Sequence, residues 1–146
     1  MKTDLVVAGY IFNEDKVLLI HHKKLDMWLP LGGHIDPDET PDQAMQREAM
    51  EEAGLKVSFV QQNNLPKIGN VKENLALSFY NNLHSVGDHD HACFYYVLKA
   101  ENPEDLKINK ELKNFAWHTM EELEKEHIPM DVQAQAKAAF EVLNKK

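Results

Sequence analysis

No internal disulfide can form in this chain, because Cys93 is its only cysteine. A fold built on it must be held by a packed core, and a reducing, cytoplasmic setting is expected. Apolar runs are short as well. None approaches the roughly 18 residues that span a bilayer, and the opening MKTDLVVAGYIF carries an acid and no small-residue cleavage site, so neither membrane insertion nor secretion is expected. Glycine and proline are sparse, six of each, and there is no repeat, low-complexity tract or Pro/Gly/Ser linker; residues 1–146 read as one ordered domain. Basic residues are outnumbered, 16 Lys and Arg against 24 Asp and Glu, for a net charge of −8. Binding of long nucleic acid rests on neutralising phosphates and needs the opposite balance. A small phosphorylated molecule can still be held by an acidic protein if a divalent cation and a few Lys, Arg or His residues offset the repulsion locally.

What is present is regular. The β-branched, apolar segments 4–12 and 16–22 predict two strands joined at Asn13-Glu14-Asp15. Residues 23–40, with Trp28, two prolines and two glycines, read as loop with one short strand around 28–31. Thr40, Pro41 and Gln43 form a capping-box signature for a helix over 41–53, and Gly54 supplies its stop. Segments 55–63, 74–84, 91–99 and 113–118 read as strands. A second helix is expected over 131–144, where Val132, Ala136, Ala139, Phe140 and Leu143 recur at helical spacing after Pro129 and Asp131. This order predicts an α/β fold in which a curled, mixed sheet lies between helices, an α/β/α sandwich.

The first helix carries the chemistry. At about 100° per residue, Glu48, Glu51 and Glu52 converge on an arc of roughly 100°, where like charges three and four residues apart destabilise a helix. The helix has no lysine and its one arginine, Arg47, is expected to point away from Glu51, so Mg²⁺ or Mn²⁺ is the simplest counter-charge. Acidic runs are usually solvated faces; here the register with its surroundings argues otherwise. Residues 33–55, GHIDPDETPDQAMQREAMEEAGL, fit G-x5-E-x7-R-E-U-x-E-E-x-G-U, with U apolar, at every fixed position. Average residue frequencies produce such a match on the order of once in a million chains.

This stretch resembles the Nudix box, and W-L-P-x-G-G at 28–33 and F-x-W-x-x-x-E-E-L at 115–123 are also similar to that family. One departure is Leu31, where many members carry proline. The resemblance implies a metal-dependent pyrophosphohydrolase cutting a phosphoanhydride in a nucleoside diphosphate linked to another group: a nucleoside triphosphate, nucleotide sugar, dinucleotide or dinucleoside polyphosphate. It implies Glu51 and Glu52 as principal metal ligands, Glu48 as ligand or base, the Gly32 carbonyl as backbone ligand, and Glu39 with Arg47 as a salt bridge holding the loop; Gly33 and Gly54 complete the box.

Among the remaining polar residues, His22 and Lys24 (beside His21 and Lys23) are candidates to meet substrate phosphates, His34 to bond a phosphate or orient the loop, His89, Asp90 and His91 to ligate metal or contact phosphate, and Trp28 to stack on a base. The resemblance also implies that a loop outside the box can supply the general base, and the Asp88–His91 stretch is the candidate for it. Expected partners are therefore a small nucleotide-like molecule and, as the assembly entertained, a second copy of the chain in a homodimer. Two other classes compete. A non-catalytic nucleotide-binding regulator on the same fold usually lacks a box carboxylate, and none is missing here. An isoprenoid-diphosphate isomerase would need a reactive cysteine, for which Cys93 inside ACFYYV is poorly placed.

Overall fold

The computed structural model describes residues 1–110, 112–125 and 127–145. In it β1 (Thr3–Asn13), β2 (Lys16–His22), β3 (Met27–Leu29), β4 (Leu31–His34), β5 (Val57–Phe59), β6 (Tyr80–Ser85), β7 (Asp90–Ala100) and β8 (Leu112–His118) form one eight-stranded sheet with two α-helices, α1 (Pro41–Ala53) and α2 (Met130–Asn144). The sheet is mixed because β1 and β7 run parallel over their whole length, Thr3 beside Asp90 through Phe12 beside Lys99, while the other pairs are antiparallel.

Alternation along the strands divides the core in two. Val6, Ala8, Tyr10 and Phe12 of β1, with Cys93, Tyr95 and Val97 of β7, pack under Val132, Ala136, Ala139 and Phe140 of α2. Val7 and Ile11, with Tyr96 and Leu98, pack under Ala44, Met45, Ala49 and Ala53 of α1. The expected sandwich is therefore observed, with one helix on each face. Among the described residues no helix is long and apolar enough to cross a membrane.

Two expected strands are much shorter than their alternation suggests. Each long strand has only one free edge. Beside β7, β5 takes positions Leu98 to Ala100 and β6 takes Asp90 to Tyr95, so the chain leaves that edge after Val60 bonds Val97 and rejoins it when Phe79 bonds Tyr95. Residues 61–79 find no ladder and cross the end of α1, where the Ala76 amide donates to Asp42 Oδ2 at 2.9 Å. The same sharing occurs on β1, whose other edge holds β4 at Val6–Gly9 and β2 at Phe12–Asn13.

Candidate active site

The Thr40 hydroxyl accepts from the Gln43 amide at 3.1 Å and the Gln43 side chain returns the bond to Thr40 N–H at 2.9 Å, so α1 starts where its capping box predicts. Gly54 closes it in the left-handed conformation, φ 64°. Small side chains at 44, 49 and 53 let α1 lie close to the sheet, which brings Glu48 directly over β4. A Cβ at Gly33 would collide with the Glu48 carboxylate, so glycine there leaves the space in which that carboxylate sits.

Ladder geometry supplies the other wall. In an antiparallel pair the N–H and C=O of one residue point to the same side. The Ile35 amide bonds Leu5 on β1, which leaves His34 and Gly32 facing away from β1 and toward α1. There the His34 carbonyl accepts from Arg47 Nη2 at 2.9 Å and the Gly32 amide donates to Glu52 Oε1 at 3.2 Å. Gly32 thus meets the carboxylates through its N–H, with its carbonyl on the same edge of the strand.

Arg47 is the hub. Its Nε and Nη2 grip both oxygens of Glu39 at 2.7 and 3.0 Å, while Nη1 reaches Glu48 at 2.9 Å and Glu51 at 3.3 Å. The expectation that Arg47 points away from Glu51 was wrong: residues four apart are neighbours on a helix, separated by about 40° around its axis. Asp36, at 3.5 Å, is a further partner that the sequence reading missed. One guanidinium still faces Asp36, Glu39, Glu48 and Glu51, so negative charge remains in excess. The Arg47 and Asp36 hydrogen bonds hold the Glu39 carboxyl down at about 2. Glu48 moves the other way: burial pushes it up, opposed by Arg47 and helped by Glu51 and Asp36. Glu48 fills the space beside Gly33, Glu52 accepts from the Gly32 amide and Glu51 shares the Arg47 guanidinium, so oxygen donors of the kind a hard divalent cation takes lie along this face of α1.

Two clefts adjoin these residues. One, on the Glu52 side, is lined by His22, Lys23, Lys24, Leu25, Glu52 and Leu112, which brings His22 and Lys24 beside a box carboxylate. The other, about 260 Å³, runs under α2 with mostly apolar walls, among them Val6, Leu29, Tyr95 and Val132, and with His34, His84 and His91 also lining it. Trp28 lines neither cleft; its ring stacks on His21 at 4.9 Å, meets His118 edge-on, and has Lys125 Nζ 4.4 Å from its centroid. Cys93 is buried, and burial pushes its thiol up to about 12, so no reactive thiolate is available. Asp4 and His84 are the neighbours of His34, His89 and His91 that sequence reasoning missed, because only long-range register brings them together.

A family model described as NUDIX domain matches residues 2–140. A crystal structure of a NUDIX-family hydrolase from Clostridium perfringens superposes with a TM-score of 0.82 at 32% identity, covering 99% of this chain and 100% of that one. The crystal structure of a MutT protein from Methanosarcina mazei superposes with a TM-score of 0.69 at 19% identity, covering 99% and 96%, which is a likeness of fold. Among curated proteins, mouse diphosphoinositol polyphosphate phosphohydrolase 3-alpha is 48% identical over 44 residues, or 30% of this chain. That match spans only 27% of the relative's length.

Proposed function

This chain belongs to the Nudix family of hydrolases, and on that premise we propose that it hydrolyses a phosphoanhydride in a nucleoside diphosphate linked to a second group, with Mg²⁺ or Mn²⁺ held by Glu48, Glu51, Glu52 and the Gly32 carbonyl. The observation that carries this reading is Glu48 seated in the space of the missing Gly33 side chain, with Glu52 tied to the Gly32 amide beside it. When bound, the cation would offset phosphate charge and acidify water.

The chain's own residues do the rest. Glu48 is the proposed proton acceptor, because partial burial pushes its carboxyl above the ordinary carboxylate value and it lies beside the Gly32–Gly33 backbone. Arg47 is a positioning residue that fixes Glu48 and Glu51 on one side and the Glu39 loop on the other. Lys24 and His22, in the cleft that contains Glu52, are the proposed phosphate contacts. The apolar cleft under α2 favours a flat, weakly polar ring such as a nucleobase over a wholly anionic substrate. Trp28, already engaged on its ring, is not proposed to stack. We take residues 1–146 to act as one domain.

Phosphate release should be measured with Mg²⁺ and with excess EDTA on nucleoside triphosphates, nucleotide sugars, NADH, diadenosine polyphosphates and a diphosphoinositol polyphosphate. Turnover of one class that EDTA abolishes is expected. Glu51→Gln and Glu52→Gln should each lower kcat on the order of 10²-fold or more while the fold persists. Near-normal turnover from both variants would refute the metal assignment, and binding of nucleotide without any turnover would favour a regulator.

A further inference from the structure

Four histidines and an aspartate meet on the α2 face of the sheet, where the box chemistry does not use them. Register puts them there. Asp4 of β1 lies directly beside His91 of β7, His91 lies opposite His84 of β6, and His34 of β4 pairs with Val6, two residues along the same face from Asp4. His89 reaches in from the turn that precedes β7.

Asp4, His34 and His91 lie close enough to share one ion. The ligand atoms of Asp4, His34 and His91 all lie within 4.8 Å of one another. His34 Nε2 is 3.1 Å from Asp4 Oδ2, His89 Nε2 is 3.5 Å from the same oxygen, and His89 Nε2 is 3.2 Å from His91 Nε2. Ligands held tetrahedrally at 2.0–2.1 Å around a zinc ion stand about 3.3–3.4 Å apart. His89 is aimed from behind by Asp88, whose carboxylate accepts from Nδ1 at 2.7 Å, the carboxylate–histidine arrangement that commonly orients metal-binding rings. Lys2 Nζ, 3.4 Å away, pairs with the other Asp4 oxygen, Oδ1. The strands supply a rigid frame, and Asp4 is only 17% exposed.

We propose that Asp4, His34 and His91, with His89 as a further donor, form a site for a late first-row divalent cation such as Zn²⁺. It is separate from the box carboxylates: Glu48 packs on Gly33 from the α1 face, whereas His34, the next residue, projects to the opposite face. Imidazole donors select such ions over Mg²⁺, which prefers an all-oxygen shell. Because His34 and His91 also line the apolar cleft, a cation there adds positive charge to its wall.

The test is calorimetric titration of the intact chain with Zn²⁺ in excess Mg²⁺, together with the visible spectrum of the Co²⁺ form. One equivalent of Zn²⁺ should bind with Mg²⁺ present, and Co²⁺ should give the intense bands of a low-coordinate site. His34→Ala, His91→Ala and Asp4→Asn should each weaken Zn²⁺ binding by about tenfold or more, with metal-free melting curves close to the parent's. Glu51→Gln/Glu52→Gln should bind Zn²⁺ as the parent does. Undiminished Zn²⁺ affinity in a His34→Ala/His91→Ala chain would overturn the proposal, as would loss of the equivalent in the box variant. If an alanine variant does not fold, His34→Gln and His91→Gln replace it and are held to the same outcomes.

Discussion

Arg47 shows how much of this site hangs on one side chain. Its guanidinium ties the loop carboxylate Glu39 to the helix carboxylates Glu48 and Glu51, so the loop and the helix are held as one piece. The pairing leaves a signature in pH. Glu39 titrates at about 2 in the folded chain, below the ordinary carboxylate value that it has when unfolded. A depressed carboxyl stabilises the fold at pH above its unfolded value, and that contribution is lost as pH falls from about 5 toward 2. Glu39→Gln should therefore lower Tm by a few degrees, on the order of 3–6 °C, at neutral pH, and the gap from the parent should close as pH approaches 2. A gap that stays constant down to acid pH would mean that Glu39 contributes shape rather than charge. Glu48, pushed upward by burial, runs in the opposite sense, which is why the comparison is between two chains that both retain it. The pairing of Glu39 with Arg47 was implied by the resemblance of the box and is observed, while the wider reach of Arg47 followed from helix geometry and was misjudged at the level of the sequence.

At the scale of elements, the helix was the most readable part. Its cap residues and its terminal glycine are local signals, and the structure starts and stops α1 at Pro41 and Ala53 as they predict. Strands 55–63 and 74–84 were less readable, because alternation reports which residues suit a sheet and not whether a sheet edge is free. β7 offers one edge, shared end to end by β5 and β6, and residues 61–79 are left outside the ladder. The contact between β4 and α1 is a finer element-level feature. At Gly33 the obstructing atoms are the far end of a flexible glutamate, so Gly33→Ala can be accommodated by turning Glu48 aside. The expected result is a small change in Tm, within about 2–4 °C, with kcat reduced on the order of 10²-fold because a carboxylate displaced by about 1 Å no longer meets the reacting atoms. A variant that keeps full turnover would show that Glu48 need not occupy that space.

Taken as a whole molecule, the chain separates two chemistries across one sheet: an oxygen-rich, acidic site under α1 and an imidazole-rich cluster under α2. The first was visible in the sequence as a contiguous motif. The second was only half visible, since Asp4 lies 87 residues from His91 and no local pattern announces a parallel pairing over that distance. The acidic side carries a thermodynamic consequence for the entire fold. The net charge is −8, and a carboxylate cluster faced by one arginine adds repulsion that folding must overcome. A cation that binds only the folded chain stabilises it by mass action, about 2.7 kcal/mol at a concentration 100 times Kd, which for a chain of this length is a Tm increase on the order of 5–10 °C. Mg²⁺ should therefore raise the parent's melting temperature, EDTA should reverse the rise, and Glu51→Gln/Glu52→Gln should lose it. If the parent instead melts at the same temperature with and without Mg²⁺, Arg47 and its surroundings balance the cluster unaided, and the acidic face is not organised around a cation.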